Sequence, residues 1–486
     1  MRAGWKSSPA LFADLYELTM ANGFHASGAH ELEACFHLFF RENPFHGGYA
    51  VACGLEQVVN YLEALQFTPD DIEFLSTVSG NDGRPIFAPG FLEWLPEFAF
   101  DADVDAVPEG SVVFPNEPLL RVSGPIITGQ LIETALLNIV NFQTLVATKA
   151  ARVIRAAEGR PVVEFGLRRA QGPDGGLSAS RAAYVGGCAG TSNTLAAREF
   201  GIPAAGTHAH SWVMVFGDEL ESFEQYARAM PNNCTFLVDT YDTLRGVERA
   251  VQVATRLRER GHEMIGIRID SGDLAWLSVR AREILDAGGF ESAKIVASNE
   301  LDEYLIESLI EQGARIDMWG VGTKLVTAHD QPALGGVYKL TAVRRPGGAW
   351  EPRVKVSEQT AKVTTPGRLA VRRYRTDGEL AGDMVYDIDS PPTGEAVMLD
   401  PADPTRRKVF GEQHHAEELM VPLFRAGQRV YDLPPLEAVR ERAAEQVAGL
   451  DPTLTRFLNP HSYPVGLEQG VFETRTRLIL EARGLA

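Results

Sequence analysis

Between residues 162 and 324 the sequence repeats one local pattern, a short apolar run of β-type residues whose last positions turn polar or glycine-rich. Helical segments separate these runs. Parallel strands need crossovers of roughly 20 to 35 residues to return to the same edge of a sheet, and the runs follow one another at about that spacing. The pattern predicts about seven parallel strands whose polar ends meet at one edge. The clearest runs are 162–169, 236–240, 265–273, 295–299 and 318–324.

Two architectures join parallel strands by helices, the β/α barrel and the open doubly wound sheet. Polar or glycine-rich residues end every strand of this region, whereas an open sheet concentrates its chemistry at one switch point. The sequence also contains no G-x-G-x-x-G followed by an acidic residue. We therefore expect a barrel, with the open sheet as the alternative.

The regions on either side of the barrel predict a second domain. The N-terminal region mixes amphipathic helices with short strands, and the region after residue 340 has hairpin turns such as Pro346-Gly347-Gly348. We predict an α/β fold in which an irregular β/α (TIM-like) barrel is inserted in a flanking α+β domain, with a helical C-terminal segment. The predicted parts are 1–125 (N-terminal α+β domain), 126–340 (barrel with the active site), 341–430 (β-rich segment rejoining the N-terminal domain) and 431–486 (helical segment).

Charge and composition exclude several classes of protein. A net charge of −19 and an isoelectric point near 5.1 repel nucleic-acid backbones over most of the surface. No secretory leader is recognisable and no apolar run is long enough for a membrane span, so we expect a cytoplasmic protein that binds neither nucleic acid nor membrane. The four cysteines lie far apart without a C-x-x-C pair, which indicates buried thiols rather than a zinc or disulfide framework.

Two histidines follow the apolar segment 202–205, where a strand should end. His208 and His210 are two residues apart and project to opposite sides of an extended chain, so only one can face the barrel mouth. A histidine there can serve as acid, base, ligand or nucleophile. Capping of a loop by each ring is the alternative.

Charged residues end two further strands. Arg168 and Arg169 suit phosphate or carboxylate, and the glycine-rich loop that follows them also favours anions. Arg268, Asp270 and Asp273 alternate cation and carboxylates, which could hold ribose hydroxyls or a hard cation such as Mg²⁺. An internal ion pair plus a helix N-cap is the alternative, and it accounts for one carboxylate but not for both.

The segment Gly320-Val321-Gly322-Thr323 lies late in the barrel, where such folds frequently bind phosphate through backbone amides. This makes Gly322 and Thr323 candidate phosphate-binding residues. The sequence contains no G-x-x-x-x-G-K-[ST] loop, so any use of ATP does not follow the P-loop pattern.

Taken in order, these motifs resemble the nicotinate phosphoribosyltransferase family over nearly the whole chain. The resemblance weakens beyond about residue 430. The motifs that carry it are Asp14-Leu15-Tyr16, EFGLRRAQGPDGG at 164–176, GTSN at 190–193, GTHAHS at 206–211, Asp239-Thr240-Tyr241, RIDSGD at 268–273, GVGT at 320–323 and LGGVYKL at 334–340.

The resemblance implies a homodimeric enzyme of NAD salvage that uses ATP and Mg²⁺. Such an enzyme joins nicotinate to phosphoribosyl pyrophosphate, giving nicotinate mononucleotide and pyrophosphate while ATP is hydrolysed through a phosphohistidine. Matched by position, the family's functional residues fall on His210 (phosphorylated by ATP), Tyr16 and Thr207 (nicotinate), Arg268 (its carboxylate), Phe165 (the pyridine ring), Arg168 and Thr323 (the phosphoribosyl donor) and Asp270 (its ribose). His208 occupies a variable place in the motif and receives no role.

Substrate choice is expected to depend on Ser192. The related nicotinamide enzyme has an aspartate at this position, which would accept a hydrogen bond from the amide but repel a carboxylate. Serine with Arg268 nearby therefore favours nicotinate, and nicotinamide or quinolinate is the alternative acceptor.

Two other functions are compatible with parts of the pattern. A metal-dependent sugar-phosphate lyase or isomerase on a barrel would use Asp270, Asp273 and the histidines without ATP. A catalytically silent homologue would keep the fold for binding or scaffolding. Both leave the ordered series of motifs less well explained than a phosphoribosyltransferase does.

Overall fold

The computed structural model describes residues 8–359 and 362–485, which fall into two compact units. The first unit is drawn from Met1–Leu145 and Ala333–Ala486, and the second is Val146–Pro332. The chain therefore builds the second unit between two parts of the first, as the predicted insertion requires. The finer division at residues 125, 340 and 430 stays a prediction.

The first part of the chain is mixed. Its elements are α1 (Leu15–Ser27), β1 (Glu33–Phe39), β2 (Ala50–Val51), α2 (Leu55–Ala64), α3 (Pro69–Thr77), α4 (Pro89–Trp94), β3 (Asp103–Ala106), β4 (Val112–Val113), β5 (Leu120–Pro125), α5 (Ile126–Leu131) and α6 (Glu133–Ala156).

The second unit alternates strands and helices. Its elements are β6 (Val162–Glu164), α7 (Gly172–Val185), β7 (Gly190–Thr191), α8 (Thr194–Phe200), α9 (His210–Phe216), α10 (Glu219–Ala229), β8 (Thr235–Leu237), α11 (Thr243–Glu259), β9 (Gly266–Ile269), α12 (Leu274–Ala287), β10 (Lys294–Asn299), α13 (Glu303–Glu311), β11 (Met318–Val321) and α14 (Thr323–Val326).

The last part of the chain is mostly β-structure followed by two helices. Its elements are β12 (Val337–Arg344), β13 (Trp350–Pro352), β14 (Leu369–Thr376), β15 (Glu379–Asp387), β16 (Ala396–Leu399), β17 (Arg407–Phe410), β18 (His415–Glu418), β19 (Val421–Arg425), β20 (Gln428–Arg429), α15 (Leu436–Ala448), β21 (Val465–Glu468) and α16 (Gln469–Ala482).

The first unit contains a seven-stranded sheet that combines both parts of the chain, in the order β13-β12-β1-β5-β3-β19-β20. Strand β1 lies inside this sheet between β12 and β5, and its five central residues are buried, which explains its aromatic and apolar sequence. Strand β12 pairs with β1 and strand β19 pairs with β3, so both parts of the chain contribute strands to this sheet.

A second sheet of the first unit has the order β17-β16-β21-β15-β14-β18. Strand β21 belongs to the predicted helical C-terminal segment and pairs in parallel with β15. The segment thus contains one short strand besides its two helices. Residues 465–468 lie between β15 and β16 in this sheet and pair with both, and the local sequence does not reveal these distant partners.

The second unit contains a parallel sheet in the order β7-β6-β11-β10-β9-β8. Its edge strands β7 and β8 are bridged by residues 203–208. On one side Thr191 N–H donates to Pro203 O at 3.0 Å and Ala205 N–H donates to Thr191 O at 3.0 Å; on the other, Leu237 N–H donates to His208 Nε2 at 3.2 Å. The seventh predicted strand is therefore an irregular segment that contacts both edge strands. Together with the six parallel strands it forms an irregular barrel.

None of the helices within the described ranges is long and apolar enough to cross a bilayer. All four cysteines are buried, as their scattered positions predicted.

Candidate active site

Arg268 on β9 is the centre of a cluster at the carboxyl ends of the barrel strands. Its Nε donates to Ser298 Oγ at 2.7 Å, and its Nη2 donates to Asp270 Oδ1 at 2.8 Å. Its remaining arm, Nη1, makes a longer bond of 3.3 Å to Thr207 Oγ1. Two firm bonds fix the plane of the guanidinium, and Nη1 is the arm best able to take a new anionic partner.

Asp270 is held ionised by its neighbours. Burial would raise its pKa, but hydrogen bonds from Ser298 and Arg268 and the positive charges of Arg268 and His210 outweigh burial, so the pKa lies below its usual range. The carboxylate therefore carries its negative charge at neutral pH.

The side chain of Asp239 is fully buried next to Asp270. Its Oδ2 accepts from the Asp270 N–H at 2.8 Å and from Ser271 Oγ at 2.6 Å. Its Oδ1 is buried and has no hydrogen-bond partner within the described residues. Since such an atom costs free energy, Oδ1 is a place where a ligand would relieve an unmet interaction.

His210 begins helix α9 and faces both carboxylates. Its Nδ1 lies 3.1 Å from Thr240 Oγ1, while its Nε2 lies 3.9 Å from Asp239 Oδ1 and 4.0 Å from Asp270 Oδ2. The side chain is 40% exposed. The Thr240 contact orients the ring and leaves Nε2 accessible from the barrel mouth.

His208 points the other way, as the two-residue spacing predicted. Its ring is buried against Tyr226 and Phe223, and its Nε2 accepts the Leu237 N–H. Burial lowers its pKa to about 4, and the positive charges of Arg268 and His210 act in the same direction. His208 is thus a neutral structural group that joins the bridging segment to β8.

The ring of Phe165 forms an aromatic wall of the site, beside Arg268. Phe165 directly follows β6, and the Arg268 guanidinium carbon lies 5.5 Å from the centre of its ring. A Cβ on Gly320 would lie 2.6 Å from that ring, so only glycine lets the ring occupy this place. A flat ring with a carboxyl substituent would find both an aromatic face and a cation here.

The glycine-rich segment after β11 borders the same wall. Gly322 has φ −115° and ψ −102°, and a Cβ there would lie 3.2 Å from Phe165 O. Thr323 begins α14, and its Oγ1 donates to Glu300 Oε1 at 3.2 Å. Lys324 Nζ anchors the segment on Asp302 at 2.5 Å.

The remaining predicted site residues are placed as follows. Arg168 is exposed in the 3₁₀ turn Leu167–Arg169, and Ser192 is exposed after β7. Asp273 caps α12 by accepting the Trp276 N–H at 3.0 Å, which is the N-cap role considered as its alternative. Tyr16 belongs to the first unit, on α1, where it is 44% exposed. Substrate contact by these four residues stays a prediction.

Sequence reasoning recognised the strand ends but missed four residues that organise them: Glu164, Asp239, Thr240 and Ser298. Asp239, Thr240 and Ser298 are the last or next-to-last residues of runs already noted as unusual, and Glu164 is the last residue of strand β6. Their position at a strand end was the available signal. The sequence did not show which side chains they would bond across the barrel.

The residues fit Mg²⁺ in the manner expected of a phosphate-using enzyme. Asp239 and Asp270 present two carboxylates, one with an orphaned oxygen, and Mg²⁺ commonly binds one or two carboxylates together with water and substrate phosphates. Among residues 8–359 and 362–485, no group of three or more His, Cys, Asp or Glu side chains forms a metal cage.

Comparison with known proteins agrees with the geometry. Three family models match in sequence: the nicotinate phosphoribosyltransferase (NAPRTase) N-terminal domain over residues 11–141, the NAPRTase family over 161–357 and the C-terminal domain over 368–475.

Individual proteins match over nearly the whole chain. Nicotinate phosphoribosyltransferase of Bacillus subtilis is 42% identical over 98% of this chain and 96% of its own, and the human protein of that name is 35% identical over 94% of both. The crystal structure of human nicotinic acid phosphoribosyltransferase superposes with a TM-score of 0.83, at 33% identity, over 96% of this chain and 99% of that one. The chain belongs to the nicotinate phosphoribosyltransferase family.

Proposed function

We propose that this protein joins nicotinate to phosphoribosyl pyrophosphate, giving nicotinate mononucleotide and pyrophosphate in NAD salvage in the cytoplasm. The observation that carries the proposal is the Arg268 guanidinium beside the Phe165 ring, with Nη1 and Thr207 Oγ1 at its open side. This pairing suits a planar aromatic acid, because the ring stacks while the carboxylate meets a fixed cation. Family membership supports the same acceptor.

The donor would lie between the two carboxylates and the glycine-rich segment. Loss of pyrophosphate leaves positive charge on the ribose, and the ionised Asp270 is suited to stabilise that charge. Arg168 and the backbone around Gly322 and Thr323 would hold its phosphates. The pyridine nitrogen then forms the new bond to the ribose carbon as the bond to pyrophosphate breaks.

ATP would drive this reaction through His210. Its Nδ1 contact with Thr240 leaves Nε2 to attack the γ-phosphorus, forming the N–P bond and releasing ADP. Water later breaks the N–P bond and releases phosphate. The negative phosphoryl group would sit near the donor site and tighten donor binding while it lasts.

Asp239 and Asp270 are the residues that would hold Mg²⁺, which would neutralise phosphate charge on ATP and on the leaving pyrophosphate. Neutralisation matters here because both carboxylates otherwise repel those phosphates. The chain's own task is to orient both carboxylates through Ser271, Ser298 and Arg268.

A homodimer is part of the proposal. Helix α1 exposes Leu15, Tyr16 and Met20, three large apolar side chains on one short helix, which is unusual for a surface that stays in water. Burial of Tyr16 in the partner's nicotinate pocket would account for them. Mixing Tyr16→Ala with His210→Ala should then restore about a quarter of the ATP-stimulated activity of wild type, because random pairing gives half mixed dimers with one intact site each.

The proposal is tested by measuring nicotinate mononucleotide formation with and without ATP, in wild type and in His210→Ala. His461→Ala, an exposed histidine of the first unit, is the control. ATP stimulation in wild type and control but not in His210→Ala supports both reaction and coupling. Product without any ATP effect would remove the coupling; product only from nicotinamide or quinolinate would change the acceptor, and no product from any of the three would reject a phosphoribosyltransferase.

A further inference from the structure

One buried carboxylate joins three segments of the candidate site. Glu164 is the last residue of β6, and its side chain is fully buried. Its Oε2 accepts from Ser180 Oγ at 2.8 Å and from Thr191 Oγ1 at 2.5 Å, and its Oε1 accepts from the Gly166 N–H. Three donors are what a buried carboxylate needs to offset its lost hydration.

The first of these donors belongs to the turn that carries Arg168. Gly166 precedes the 3₁₀ turn Leu167–Arg169, and a Cβ on Gly166 would lie 2.4 Å from a methyl of Val326. The chain is therefore confined on one side by packing and on the other by the carboxylate. The direction in which Arg168 leaves the barrel follows from this anchor.

The other two donors control the segment that carries Ser192. Thr191 Oγ1 also accepts the Asn193 N–H at 2.9 Å, and the Ser192 N–H donates to Glu164 O at 2.9 Å. Asn193 Nδ2 in turn donates to Ser180 Oγ at 3.1 Å. Ser192 is thus bracketed by two residues whose side chains lead back to the same carboxylate.

We propose that Glu164 is the positioning residue that sets the separation between the Arg168 turn, on the phosphate side, and Ser192, on the pyridine side. The inference rests on the proposed function, since it assigns Glu164 a part in binding both substrates. Glu164 touches neither substrate and acts through Gly166 and Thr191. A purely structural role would lower the amount or stability of folded protein but leave KM values where they are.

Glu164→Gln tests both sides together. The amide replaces one acceptor oxygen by an NH₂ group, so either the Gly166 N–H or the Ser180 and Thr191 hydroxyls lose their acceptor and the side chains must reorient. We expect KM for both nicotinate and phosphoribosyl pyrophosphate to rise about tenfold each, the effect of one lost hydrogen bond. Glu219→Gln is the matched control, a carboxylate 1% exposed on α10 that pairs with Arg249; it should lower thermal stability and leave both KM values unchanged.

Variants of Thr191 test the pyridine side alone. They also keep the test decisive if Glu164→Gln folds poorly. Thr191→Val removes the hydroxyl at constant shape and should raise KM for nicotinate about tenfold while KM for the donor changes less than about twofold. Thr191→Ser restores the hydroxyl and should restore the wild-type KM. Wild-type turnover with KM values that no Glu164 or Thr191 variant moves would overturn the positioning role and leave the proposed function intact; wild type without turnover would reject the function itself.

Discussion

Each unit of the molecule contains an arginine–aspartate pair, and the two pairs differ in how completely they are satisfied. The side chains of Arg373 and Asp383 in the first unit are both fully buried. Asp383 accepts hydrogen bonds from Nε and Nη2 of Arg373 and from the Tyr463 hydroxyl. Burial and the nearby Asp383 raise the pKa of Glu117 well above its usual range, so Glu117 keeps a proton that it can donate to Asp383. Both oxygens of Asp383 are therefore bonded within the fold.

The pair in the second unit is left open. Arg268 is 14% exposed and Asp270 29% exposed, His210 Nε2 faces both solvent and the carboxylates, and Asp239 Oδ1 has no partner among the described residues. The same pair of residue types thus serves stability where both oxygens of the aspartate are bonded within the fold, and is available for a ligand where the pair is exposed beside an unpartnered carboxylate oxygen.

The largest effect on this comparison should come from Arg373→Met. The change leaves Asp383 buried without its cation, and breaking a buried pair by removing one partner costs about 3–5 kcal/mol. We expect the free energy of unfolding in urea to fall by that amount, with KM for nicotinate unchanged in the folded fraction.

Arg375→Met is the control for that measurement. It lies on the same strand, β14, but its guanidinium is partly exposed and lies 3.9 Å from an exposed carboxylate of Glu417. An exposed pair is worth less than about 1 kcal/mol. Equal losses in the two variants would show that the buried cluster is not special.

Asp270→Asn should have the opposite effect to Arg373→Met, a large loss of activity with little loss of stability. In the proposed reaction it removes the negative charge that would lie beside the reacting ribose, and it should lower kcat by about 10²–10³-fold, as loss of one electrostatic stabiliser usually does. Unfolding free energy should change by no more than about 1 kcal/mol, because the group is partly exposed and Ser298 and Arg268 can still bond an amide oxygen.

Asp218→Asn is the corresponding control. Asp218 caps α10 through the Leu220 N–H, and asparagine caps equally well, so neither activity nor stability should change. If Asp270→Asn lowered the free energy of unfolding by more than the free-energy equivalent of its loss in kcat, the view that this pair is kept for function would be wrong.

The two units should also respond to pH in opposite directions. Burial lowers the pKa of His208 to about 4, below the unfolded value near 6.5, so the native state binds fewer protons than the unfolded state between these values. Its contribution is present above pH 6.5 and is lost as pH falls through the folded pKa. We expect stability about 2 kcal/mol lower at pH 5 than at pH 8 from this group. His208→Gln, which keeps an acceptor for Leu237, should flatten that slope in urea titrations.

Glu17 of the first unit provides the opposite sign. Burial raises its pKa to about 7, and the hydrogen bond from Thr134 only partly offsets this. Its contribution is present below the unfolded pKa and is lost as pH rises through 7. Glu17→Gln should therefore stabilise the protein at pH 8 relative to wild type and have little effect near pH 4. For each variant, the difference in unfolding free energy from wild type is followed against pH. If this difference changed with pH in the same direction for Glu17→Gln as for His208→Gln, the assignment would be wrong.

Sequence pattern was sufficient for the barrel because the information is local. Each strand is a short apolar run, and each run ends in residues that differ in kind from those inside it, as in Ile267-Arg268-Ile269-Asp270. The insertion was also visible, since the β-rich segment after residue 340 needed partners that the barrel does not offer.

What the pattern could not supply is the choice of partners across the barrel. Ser298 bonds Arg268 from 30 residues away, and His208 meets Leu237 from 29 residues away, without any local sign of either contact. The same limit explains strand β21, whose partners β15 and β16 both come from distant parts of the sequence. Long-range pairing decided each of these cases.

The smallest expected effect concerns selectivity and tests whether the open pair binds a carboxylate. Ser192 is exposed at its strand end, so a new charge there is partly screened. Ser192→Asp should raise KM for nicotinate about tenfold, roughly 1.4 kcal/mol of repulsion between two carboxylates, while nicotinamide, which carries no charge, is affected less. Ser192→Asn has the same shape without the charge and should stay within about twofold of wild type. An unchanged KM in Ser192→Asp would mean that Ser192 does not face the acceptor, and selection of the acid would then rest on Arg268 alone.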